Sequence, residues 1–453
     1  MGSKNNTFTI LMFPWLAEGH ISPFLQLAKS LVERRPFRLY FCSTAANFAS
    51  INGFIDANSL NDTVEIVELL LEASPELPPR YHSTKNVPSE RRTDLLQAFQ
   101  ASRHNFSDIV DAVSPDVVIY DVFQPWASKI ASSNGIPAVL FCTTGAFASA
   151  SLHHRHTFGD YDLPFTTIRL EDYEMKILDA EINYLRHKVV DAGSGFFFGT
   201  FELSHDIVLI KTCRGIEGKY VDYLSTLCRK TLVPVGTLVN DGIRGHTGSS
   251  EIINWLSEKT RHSTVFISFG SEYFLSKAEI GEIAKALSIC DNVNFIWVIR
   301  HPVGDTVAVE DFLPQEFLDW VGERGRVVTG WAPQADILAH ENTGCFVSHC
   351  GWSSVTESMY FGVPIVAVPM KVDQPLNARM LAEAGGGIEV RRNGDGEYTA
   401  EAIVGALRKA MSENSLRYGV RELNKTTRDE NELLLNKAAK QLWQLCLKGC
   451  KNN

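Results

Sequence analysis

A histidine and an aspartate in the first part of the chain could together remove a proton from a substrate. His20 comes soon after the apolar segment TFTILMF (7–13), and Asp121 ends the segment VVIYD. Apolar runs of this kind are typical of buried strands in a parallel sheet, whose carboxyl ends meet at one edge. A carboxylate beside an imidazole fixes its tautomer and stabilises the imidazolium, which is the arrangement of a general base. A lone histidine is more often structural, so the pair indicates function better than His20 alone.

A second group of polar residues lies between Trp331 and Gln374, where the pattern reads strand, polar turn, helix and strand. The turn is His349-Cys350-Gly351-Trp352, and a helix pattern follows over 353–361. Backbone N–H groups at a helix N-terminus attract anions, so this turn could seat a pyrophosphate, with Gly351 allowing close approach of the backbone. The side chains that could donate hydrogen bonds to phosphate oxygens are His349, Ser353 and Ser354.

Several of these residues also have an interpretation that needs no ligand. Ser354 and Glu357 fit a capping box, S-x-x-E, at the start of the helix. Trp331 could stack on a nucleobase, which is worth roughly 1–3 kcal/mol, but a tryptophan is more often part of a hydrophobic core. Asp373 and Gln374 suit hydrogen bonding to sugar hydroxyls, and they could equally be the first residues of a helix.

The motifs of other enzyme classes are absent or weak in this sequence. The loop PWLAEGH (14–20) lacks the G-x-G-x-x-G pattern of dinucleotide enzymes, and no P-loop sequence occurs. The residues 160–162 match the short D-x-D pattern that some sugar-nucleotide enzymes use for a divalent metal, but no predicted strand precedes them. The histidine-rich run 153–156 lacks metal-site spacing and favours a solvated or pocket-lining segment. We therefore expect no metal site.

These residues need a scaffold that brings strand ends together, and the pattern of both halves predicts one. Strand-like runs alternate with helical spacing over 7–141, including a strand at 117–120 and helices at 92–113 and 125–133. The same alternation recurs over 264–412, with a helix at 400–412. That alternation is typical of parallel sheets covered by helices. We predict an α/β fold of two Rossmann-like, doubly wound domains facing a central cleft. The predicted boundaries are 1–239 and 251–435 for the domains, 240–250 for a polar linker and 436–453 for a last helix.

Composition limits the partners of this 453-residue chain. Its 43 Lys and Arg residues against 53 Asp and Glu residues give a net charge of −10, which argues against nucleic acid or an anionic membrane surface as a partner. Nine scattered cysteines without a C-x-x-C pair favour reduced thiols. No apolar run approaches the roughly 18 residues of a spanning helix. We expect a cytoplasmic monomer without stable membrane insertion.

Taken together, these residues resemble the plant UDP-sugar-dependent glycosyltransferases, a family with the two-domain GT-B fold. The stretch Trp331–Gln374 matches the donor-binding signature of that family almost position for position, and the resemblance extends over nearly the whole chain. It implies that the N-terminal domain binds the acceptor and the C-terminal domain binds the UDP-sugar. It also implies that the last helix, from about Asn436, packs back on the N-terminal domain.

The resemblance implies a role for each donor-site residue. The nucleoside would be held through Trp331, Ala332 and Gln334. The diphosphate would be held through His349, Ser354, the Trp352 backbone and Ser271 of the segment SFGS. Glu357 would bind the ribose hydroxyls, and Asp373 and Gln374 would bind the transferred sugar, with Thr143 of FCTTG nearby. Ser353 stands where the family usually has asparagine, and it keeps a hydrogen-bond donor with a shorter reach.

The resemblance further implies an inverting, metal-independent displacement without a separate cofactor. His20, oriented by Asp121, would take the proton of an acceptor hydroxyl, which attacks the anomeric carbon from the face opposite UDP. The helix N-terminus and His349 would stabilise the departing diphosphate. Gln374 favours UDP-glucose as the donor.

The acceptor is predicted from three segments: FGSEYF, YDVFQPW and PMKVDQPLNARM. They resemble the branch that extends the sugar of a flavonoid or terpenoid glycoside, often by a 1→6 or 1→2 linkage. Within the family, the alternatives are an aglycone acceptor or another UDP-sugar. Outside it, a nicotinamide or flavin oxidoreductase is disfavoured by the missing glycine motif, and a non-catalytic sugar-nucleotide binder would not need His20 and Asp121.

Overall fold

A computed structural model of the chain describes residues 7–188, 198–240, 249–290, 292–300, 313 and 315–452. The chain divides into two compact units: unit 1 is Met1–Leu238 with Asp429–Asn453, and unit 2 is Val239–Arg428. Each unit contains one parallel sheet with helices between the strands, so the predicted α/β class is confirmed. Most of the predicted linker, 241–248, lies outside the described residues. The cleft between the domains stays a prediction.

The sheet of unit 1 has seven parallel strands in the order β3-β2-β1-β4-β5-β6-β7. Its central strands are apolar and buried on both faces, as expected where helices cover a parallel sheet. The strands are β1 Phe8–Phe13, β2 Phe37–Ser43, β3 Val64–Glu68, β4 Val117–Tyr120, β5 Ala138–Cys142, β6 Ile207–Ile210 and β7 Thr231–Pro234.

The helices of unit 1 depart from the predicted pattern at two places near the strand ends. The first helix begins at Glu18 and contains Pro23, so His20 lies in its first turn rather than in a loop. The predicted helix 92–113 is broken at Ser102 into two helices. The helices are α1 Glu18–Val32, α2 Ala45–Ala57, α3 Arg92–Ala101, α4 Arg103–Val113, α5 Pro125–Ser133, α6 Ala146–Phe158, α7 Asp172–Lys188, α8 Phe198–Glu202 and α9 Arg214–Cys228, with short 3₁₀ turns at Pro79–Tyr81 and Ser89–Arg91.

The sheet of unit 2 has six parallel strands in the order β10-β9-β8-β11-β12-β13. The strands are β8 Thr264–Ser268, β9 Asn294–Val298, β10 Gly325–Val328, β11 Thr343–Ser348, β12 Ile365–Ala367 and β13 Gly387–Glu389. The helices are α10 Ser249–Ser257, α11 Lys277–Ile289, α12 Gln315–Val321, α13 Gln334–Ala339, α14 Trp352–Phe361, α15 Gln374–Glu383 and α16 Ala400–Ser412, with a 3₁₀ turn at Gly322–Arg324.

The last helix, α17 (Asn414–Asn452), joins the core of unit 1 from Asp429 onward. Its buried residues recur at helical spacing on one face. The buried residues of this face are Leu435, Ala438, Ala439, Leu442, Leu445 and Cys446. Trp443 packs edge-on against Phe8 at 4.6 Å, which fixes the helix next to β1. None of the described helices is both long enough and apolar enough to cross a membrane.

Both sheets reverse their strand order at one point, next to the first strand. In unit 1 the reversal lies between β1 and β4, and in unit 2 it lies between β8 and β11. The loops that leave neighbouring strands at such a point run to opposite faces of the sheet and open a crevice at the carboxyl edge, where doubly wound proteins bind ligands. Four of the polar residues identified in the sequence follow these strands, namely His20, Asp121, Ser271 and His349.

Candidate functional site

His20 and Asp121 lie side by side at the carboxyl edge of the unit 1 sheet. Strand β1 pairs with β4 so that Phe13 lies opposite Tyr120, and the residues after both strands therefore share one edge. His20 is the third residue of α1, and its Nδ1 lies 2.7 Å from Oδ2 of Asp121. The two predicted residues are in direct contact.

The carboxylate of Asp121 determines which imidazole nitrogen can act as a base. Asp121 is 0% exposed, and it also accepts hydrogen bonds from the backbone N–H of Trp15 at 3.2 Å and of Val122 at 2.6 Å. An ionised carboxylate has no proton to donate, so Nδ1 of His20 must carry the hydrogen of their shared bond. Nε2 then holds the lone pair, and the His20 side chain is 20% exposed. A substrate proton can be accepted at Nε2.

Thr143 and a series of three aromatic rings lie on one side of this pair in unit 1. Oγ1 of Thr143 lies 3.3 Å from Nδ1 of His20. Phe123 meets the imidazole edge-on at 5.6 Å, Trp15 stacks on Phe123, and Phe99 lies edge-on against Trp15. Apolar rings lower the local dielectric constant and strengthen the attraction between an imidazolium and a carboxylate. Sequence analysis did not identify these rings, although Trp15 and Phe123 follow closely after the strands that carry the pair.

Glu217 is a buried acidic residue that sequence analysis also did not identify. Its carboxylate accepts hydrogen bonds from the backbone N–H of Ala146 at 2.9 Å and of Phe147 at 2.7 Å, and from Oγ1 of Thr212 at 2.5 Å. These N–H groups open α6, so Glu217 caps that helix from a distant part of the chain. Burial raises the pKa of Glu217, and the three hydrogen bonds act in the opposite direction. Glu217 thereby anchors the helix that follows the Thr143 loop.

His349 follows β11 in unit 2, and its imidazole is neutral at physiological pH. Burial, and secondarily the charge of Lys371, lower the pKa of His349 to about 4. A Cβ atom at Gly270 or Gly351 would lie 2.8 or 2.6 Å from the ring, so only glycine lets the backbone approach it this closely. Nδ1 is buried without a hydrogen-bond partner in the described part of the chain. Since such atoms are rare and costly, Nδ1 of His349 is a candidate ligand contact.

The N-terminus of α14 comes directly after the His349 turn. The helix begins at Trp352, its N-cap is Gly351, and no side chain of the N-cap residue satisfies the first N–H groups. The predicted capping box is wrong, because Ser354 is the third residue of the helix rather than its N-cap, and Glu357 lies one turn further along. The positive end of a helix dipole is suited to an anion.

Trp331 lies on an anchored loop, and its side chain faces solvent. Its exposed fraction is 56%, so the alternative that placed Trp331 in a hydrophobic core is wrong. Ala332 is buried, and Gln334 opens α13. Nε2 of Gln334 donates a hydrogen bond to Glu357 at 2.6 Å and lies 3.5 Å from Oγ of Ser354, which ties this loop to α14. An exposed indole on a fixed loop is suited to stacking on a base.

Asp373 and Gln374 lie at the start of α15, as the interpretation without a ligand predicted. Oε1 of Gln374 accepts hydrogen bonds from the N–H groups of Met370 and Lys371, both at 2.9 Å. Oδ2 of Asp373 accepts one from Nδ2 of Asn377 at 3.0 Å. These bonds hold both side chains and leave Nε2 of Gln374 to donate to a ligand. Their location at a helix start does not prevent them from binding a sugar.

The other predicted donor-site residues lie at the same edge of the unit 2 sheet. Ser271 follows β8, which pairs in parallel with β11, and Ser353 is the second residue of α14. The side chain of Trp352 is buried, and its backbone N–H lies at the helix start. The predicted residues that belong to unit 1 are His20, Asp121 and Thr143.

The histidine-rich segment and the D-x-D pattern are engaged in contacts within unit 1. His153 and His154 are buried in α6, whereas His156 is exposed, so the interpretation of a solvated segment is wrong for the first two residues only. His154 contacts the hydroxyl group of Tyr223 at 2.6 Å and the carboxylate of Asp160 at 3.2 Å. Among the described residues, no three His, Cys, Asp or Glu side chains are arranged to hold a metal ion.

Comparison with known proteins identifies relatives over nearly the whole chain. The model of the UDP-glucoronosyl and UDP-glucosyl transferase family matches residues 244–439. Mogroside IIIx synthase of Siraitia grosvenorii is 44% identical over 446 residues, covering 97% of this chain and 96% of that protein. Beta-D-glucosyl crocetin beta-1,6-glucosyltransferase of Gardenia jasminoides is 42% identical over 406 residues, covering 89% of this chain and 90% of that protein.

A solved structure shows that the fold is also shared. The crystal structure of Glycyrrhiza uralensis UGT73P12, complexed with glycyrrhetinic acid 3-O-monoglucuronide, matches with a TM-score of 0.86 and 22% sequence identity. The match covers 99% of this chain and 98% of that one. At this identity the likeness concerns the fold alone, and the predicted GT-B fold is confirmed.

Proposed function

Because this chain belongs to the UDP-glucoronosyl and UDP-glucosyl transferase family and is a glycosyltransferase, we propose that it transfers glucose from UDP-glucose to a sugar hydroxyl of a small-molecule glycoside. The contact between His20 and Asp121 carries the catalytic part of this proposal, since it provides a base with a fixed tautomer. The relatives whose names describe mogroside and glucosyl-crocetin chemistry support a glycoside as the acceptor.

His20 acts as the general base in a single displacement. Its Nε2 accepts the proton of the acceptor hydroxyl as that oxygen forms a bond to the anomeric carbon. The bond from the anomeric carbon to the phosphate oxygen breaks at the same time, and its electron pair leaves with UDP. One displacement inverts the configuration at the anomeric carbon. The imidazolium that forms is stabilised by the buried carboxylate of Asp121.

Unit 2 provides the donor contacts in this proposal. The exposed indole of Trp331 stacks on uracil, and Glu357, held by Gln334, binds the ribose hydroxyls. The diphosphate is bound by the N-terminus of α14, by Ser354 and Ser271, and by the imidazole of His349. Since His349 is neutral, the negative charge of the departing UDP is offset mainly by the helix dipole and N–H groups, and no metal ion is assigned a role.

The transferred sugar is bound by Asp373 and Gln374. Oε1 of Gln374 is already used by two backbone N–H groups, so its Nε2 donates a hydrogen bond to a sugar hydroxyl, and the carboxylate of Asp373 accepts one. We assign UDP-glucose as the donor, and another UDP-sugar is the alternative. We also propose that the enzyme acts as a cytoplasmic monomer. The eight described cysteines are buried and form no disulfide, which supports the cytoplasmic location.

The acceptor class is tested by a screen with UDP-glucose that compares aglycones with their own monoglucosides. UDP release with flavonoid or terpenoid monoglucosides, and none with the matched aglycones, is the expected result. Mass spectrometry and NMR of the product distinguish a 1→6 from a 1→2 linkage and show the anomeric configuration. Turnover of aglycones alone would overturn the assignment of a sugar hydroxyl as the nucleophile.

The catalytic assignment is tested by His20→Ala. This variant should lose UDP release by a factor of roughly 10² to 10⁴ while it still binds UDP, because the donor contacts lie in unit 2. Undiminished turnover in this variant would refute the proposed mechanism.

A further inference from the structure

The loop Pro369–Gln374, between β12 and α15, contains a strained residue next to the proposed sugar contacts. Val372 has a φ of 55°, in the left-handed region that β-branched residues very rarely adopt. Such a conformation costs energy and persists only where the surrounding structure fixes it, and it is found most often where function requires an exact geometry. Asp373 and Gln374 follow Val372 directly, so the strained backbone sets their direction.

Two groups outside the loop converge on one carbonyl oxygen at its start. The carbonyl of Pro369 accepts a hydrogen bond from the hydroxyl group of Tyr398 at 2.6 Å and another from Nη2 of Arg392 at 3.1 Å. At the other end, Oε1 of Gln374 accepts from the N–H groups of Met370 and Lys371. The hydrogen bonds from Tyr398 and Arg392 tie the loop to the segment after β13. The two hydrogen bonds to Gln374 only join residues within the loop.

Arg392 and Tyr398 are themselves held in place. The guanidinium of Arg392 lies over the ring of Tyr398, 4.0 Å from its centroid, and Nη1 donates to the carbonyl of Gly396 at 2.7 Å. Between them, Oδ1 of Asn393 accepts hydrogen bonds from the N–H groups of Asp395 and Glu397, which forms a tight turn. Tyr398 is 7% exposed. The two donors are therefore already oriented towards Pro369 before any ligand binds.

We propose that Arg392 and Tyr398 are positioning residues for the transferred sugar, which hold the strained loop through the Pro369 carbonyl so that Asp373 and Gln374 meet the sugar hydroxyls. We call this set of two donors and one carbonyl the Pro369 clamp. The inference rests on the proposed function, because it takes the sugar contacts of Asp373 and Gln374 from there. It adds two residues that do not touch the donor themselves.

A positioning role differs measurably from a purely structural one. UDP lacks the sugar, and none of its proposed contacts belongs to the clamped loop. These contacts are Trp331, Glu357, Ser271, Ser354, His349 and the N-terminus of α14. Loosening the clamp should therefore weaken the binding of UDP-glucose and leave the binding of UDP unchanged. A structural role alone would lower the thermal stability and alter both affinities equally or not at all.

The test is Tyr398→Phe, which removes one hydroxyl group and keeps the ring beneath Arg392. Calorimetry with UDP-glucose and with UDP, in the absence of acceptor, should show a Kd for UDP-glucose raised by roughly three- to tenfold and an unchanged Kd for UDP. Steady-state kinetics should show the same increase in KM for UDP-glucose. Arg392→Gln should act in the same direction.

Ser358→Ala is the matched control. The hydroxyl group of Ser358 donates to the carbonyl of Val363 at 2.5 Å, at the opposite end of β12 from Pro369. Its loss should lower the melting temperature without changing the ratio of the two Kd values. The inference is overturned if Tyr398→Phe behaves like this control. Because no acceptor is needed, an incorrect acceptor class would leave the binding test intact.

Val372→Gly tests the role of the strain. Glycine adopts a positive φ without cost, so the loop no longer needs to be forced into this conformation. Tyr398→Phe in the Val372→Gly background should therefore raise the Kd for UDP-glucose less than it does in the wild type. An equal increase in both backgrounds would contradict the coupling between the clamp and Val372.

Discussion

Replacing Asp121 by asparagine should lower kcat by about a thousandfold and leave UDP binding unchanged. The substitution keeps the size of the side chain and removes its charge. In the proposed reaction the imidazolium of His20 forms beside this carboxylate, at a contact of 2.7 Å in a site where Asp121 is 0% exposed. The carboxylate attracts the charged product of proton transfer more than the neutral imidazole, so its loss raises the barrier.

The magnitude follows from the distance and the burial. Two unit charges about 4 Å apart attract each other by about 4 kcal/mol at an effective dielectric constant of about 20. Since about 1.4 kcal/mol changes a rate tenfold, this attraction corresponds to a factor of roughly 10³. That value lies within the range of roughly 10² to 10⁴ that a general base contributes.

Asparagine also disturbs the tautomer of His20. The two oxygens of Asp121 accept hydrogen bonds from three donors, namely Nδ1 of His20 and the backbone N–H groups of Trp15 and Val122. An asparagine has a single acceptor oxygen, so its NH2 group must face one of these donors. If the NH2 group faces His20, the imidazole places its hydrogen on Nε2, which can then no longer accept a proton.

The assay is UDP release under saturating UDP-glucose and acceptor, with calorimetry for UDP and a melting curve to confirm folding. Asp116→Asn is the control, because Asp116 accepts a hydrogen bond from the N–H of Thr9 at 2.7 Å at the opposite end of β4. That variant should lose stability and keep its kcat. If Asp121→Asn keeps the wild-type kcat, or if both variants lose activity equally, the carboxylate does not assist a base.

Three further predictions concern the donor site and stability. Trp331→Ala should raise the Kd for UDP by roughly five- to a hundredfold, because about 1–3 kcal/mol of stacking is lost. The melting temperature should not change, because the side chain is 56% exposed. An unchanged affinity in calorimetry would contradict stacking. Burial lowers the pKa of His349 to about 4 and that of His153 to about 3. As the pH is lowered from about 6.5 to 4, these histidines take up protons in the unfolded chain before they do so in the folded protein, so the melting temperature should fall. His349→Gln should make this decline shallower, and an identical slope would contradict the burial argument. Glu217→Gln should destabilise the protein by about 1–3 kcal/mol, because one amide oxygen cannot replace two carboxylate oxygens that accept three hydrogen bonds. Denaturant unfolding measures this loss. An unchanged free energy of unfolding would exclude Glu217 as a helix cap.

The strongest local patterns predicted both the type and the bounds of their elements. The strand Val117–Tyr120 and the helices Pro125–Ser133 and Ala400–Ser412 have the bounds that the sequence predicted. A short buried strand is marked by its continuous apolar run, and a proline at the first position fixes where α5 begins. In α16 one apolar face alternates with charged residues, so the helical period is clear.

Helix α6 was not predicted, because its first nine residues do not separate into an apolar face and a polar face. The residues from Ala146 to His154 are all buried, so small, apolar and polar side chains follow one another without a helical period. Helix α1 was predicted to start late for a different reason. The predicted loop 14–20 includes the first three residues of the helix. Pro23 is its sixth residue and removes one hydrogen bond, so the helical pattern near the start is weak.

The candidate residues could be predicted from their places after strands, but their environments could not. Glu217 has no local signal, because acidic residues are usually exposed and its partners in α6 lie 70 and 71 positions away. The exposure of Trp331 and the buried Nδ1 of His349 likewise depend on packing with distant residues. Sequence spacing shows which strand end a residue follows, and not what surrounds it there.

The two histidines His20 and His349 show why this environment decides the chemistry. Each follows a strand at the point where the order of its sheet reverses. His20 faces the carboxylate of Asp121, which stabilises an imidazolium, whereas burial and the charge of Lys371 destabilise the imidazolium of His349 and keep it neutral. Of these two, His20 is therefore the one whose protonated form has a negative charge beside it. His349 is suited to hydrogen bonding with a phosphate oxygen, and we therefore assign the proposed base to the histidine in unit 1.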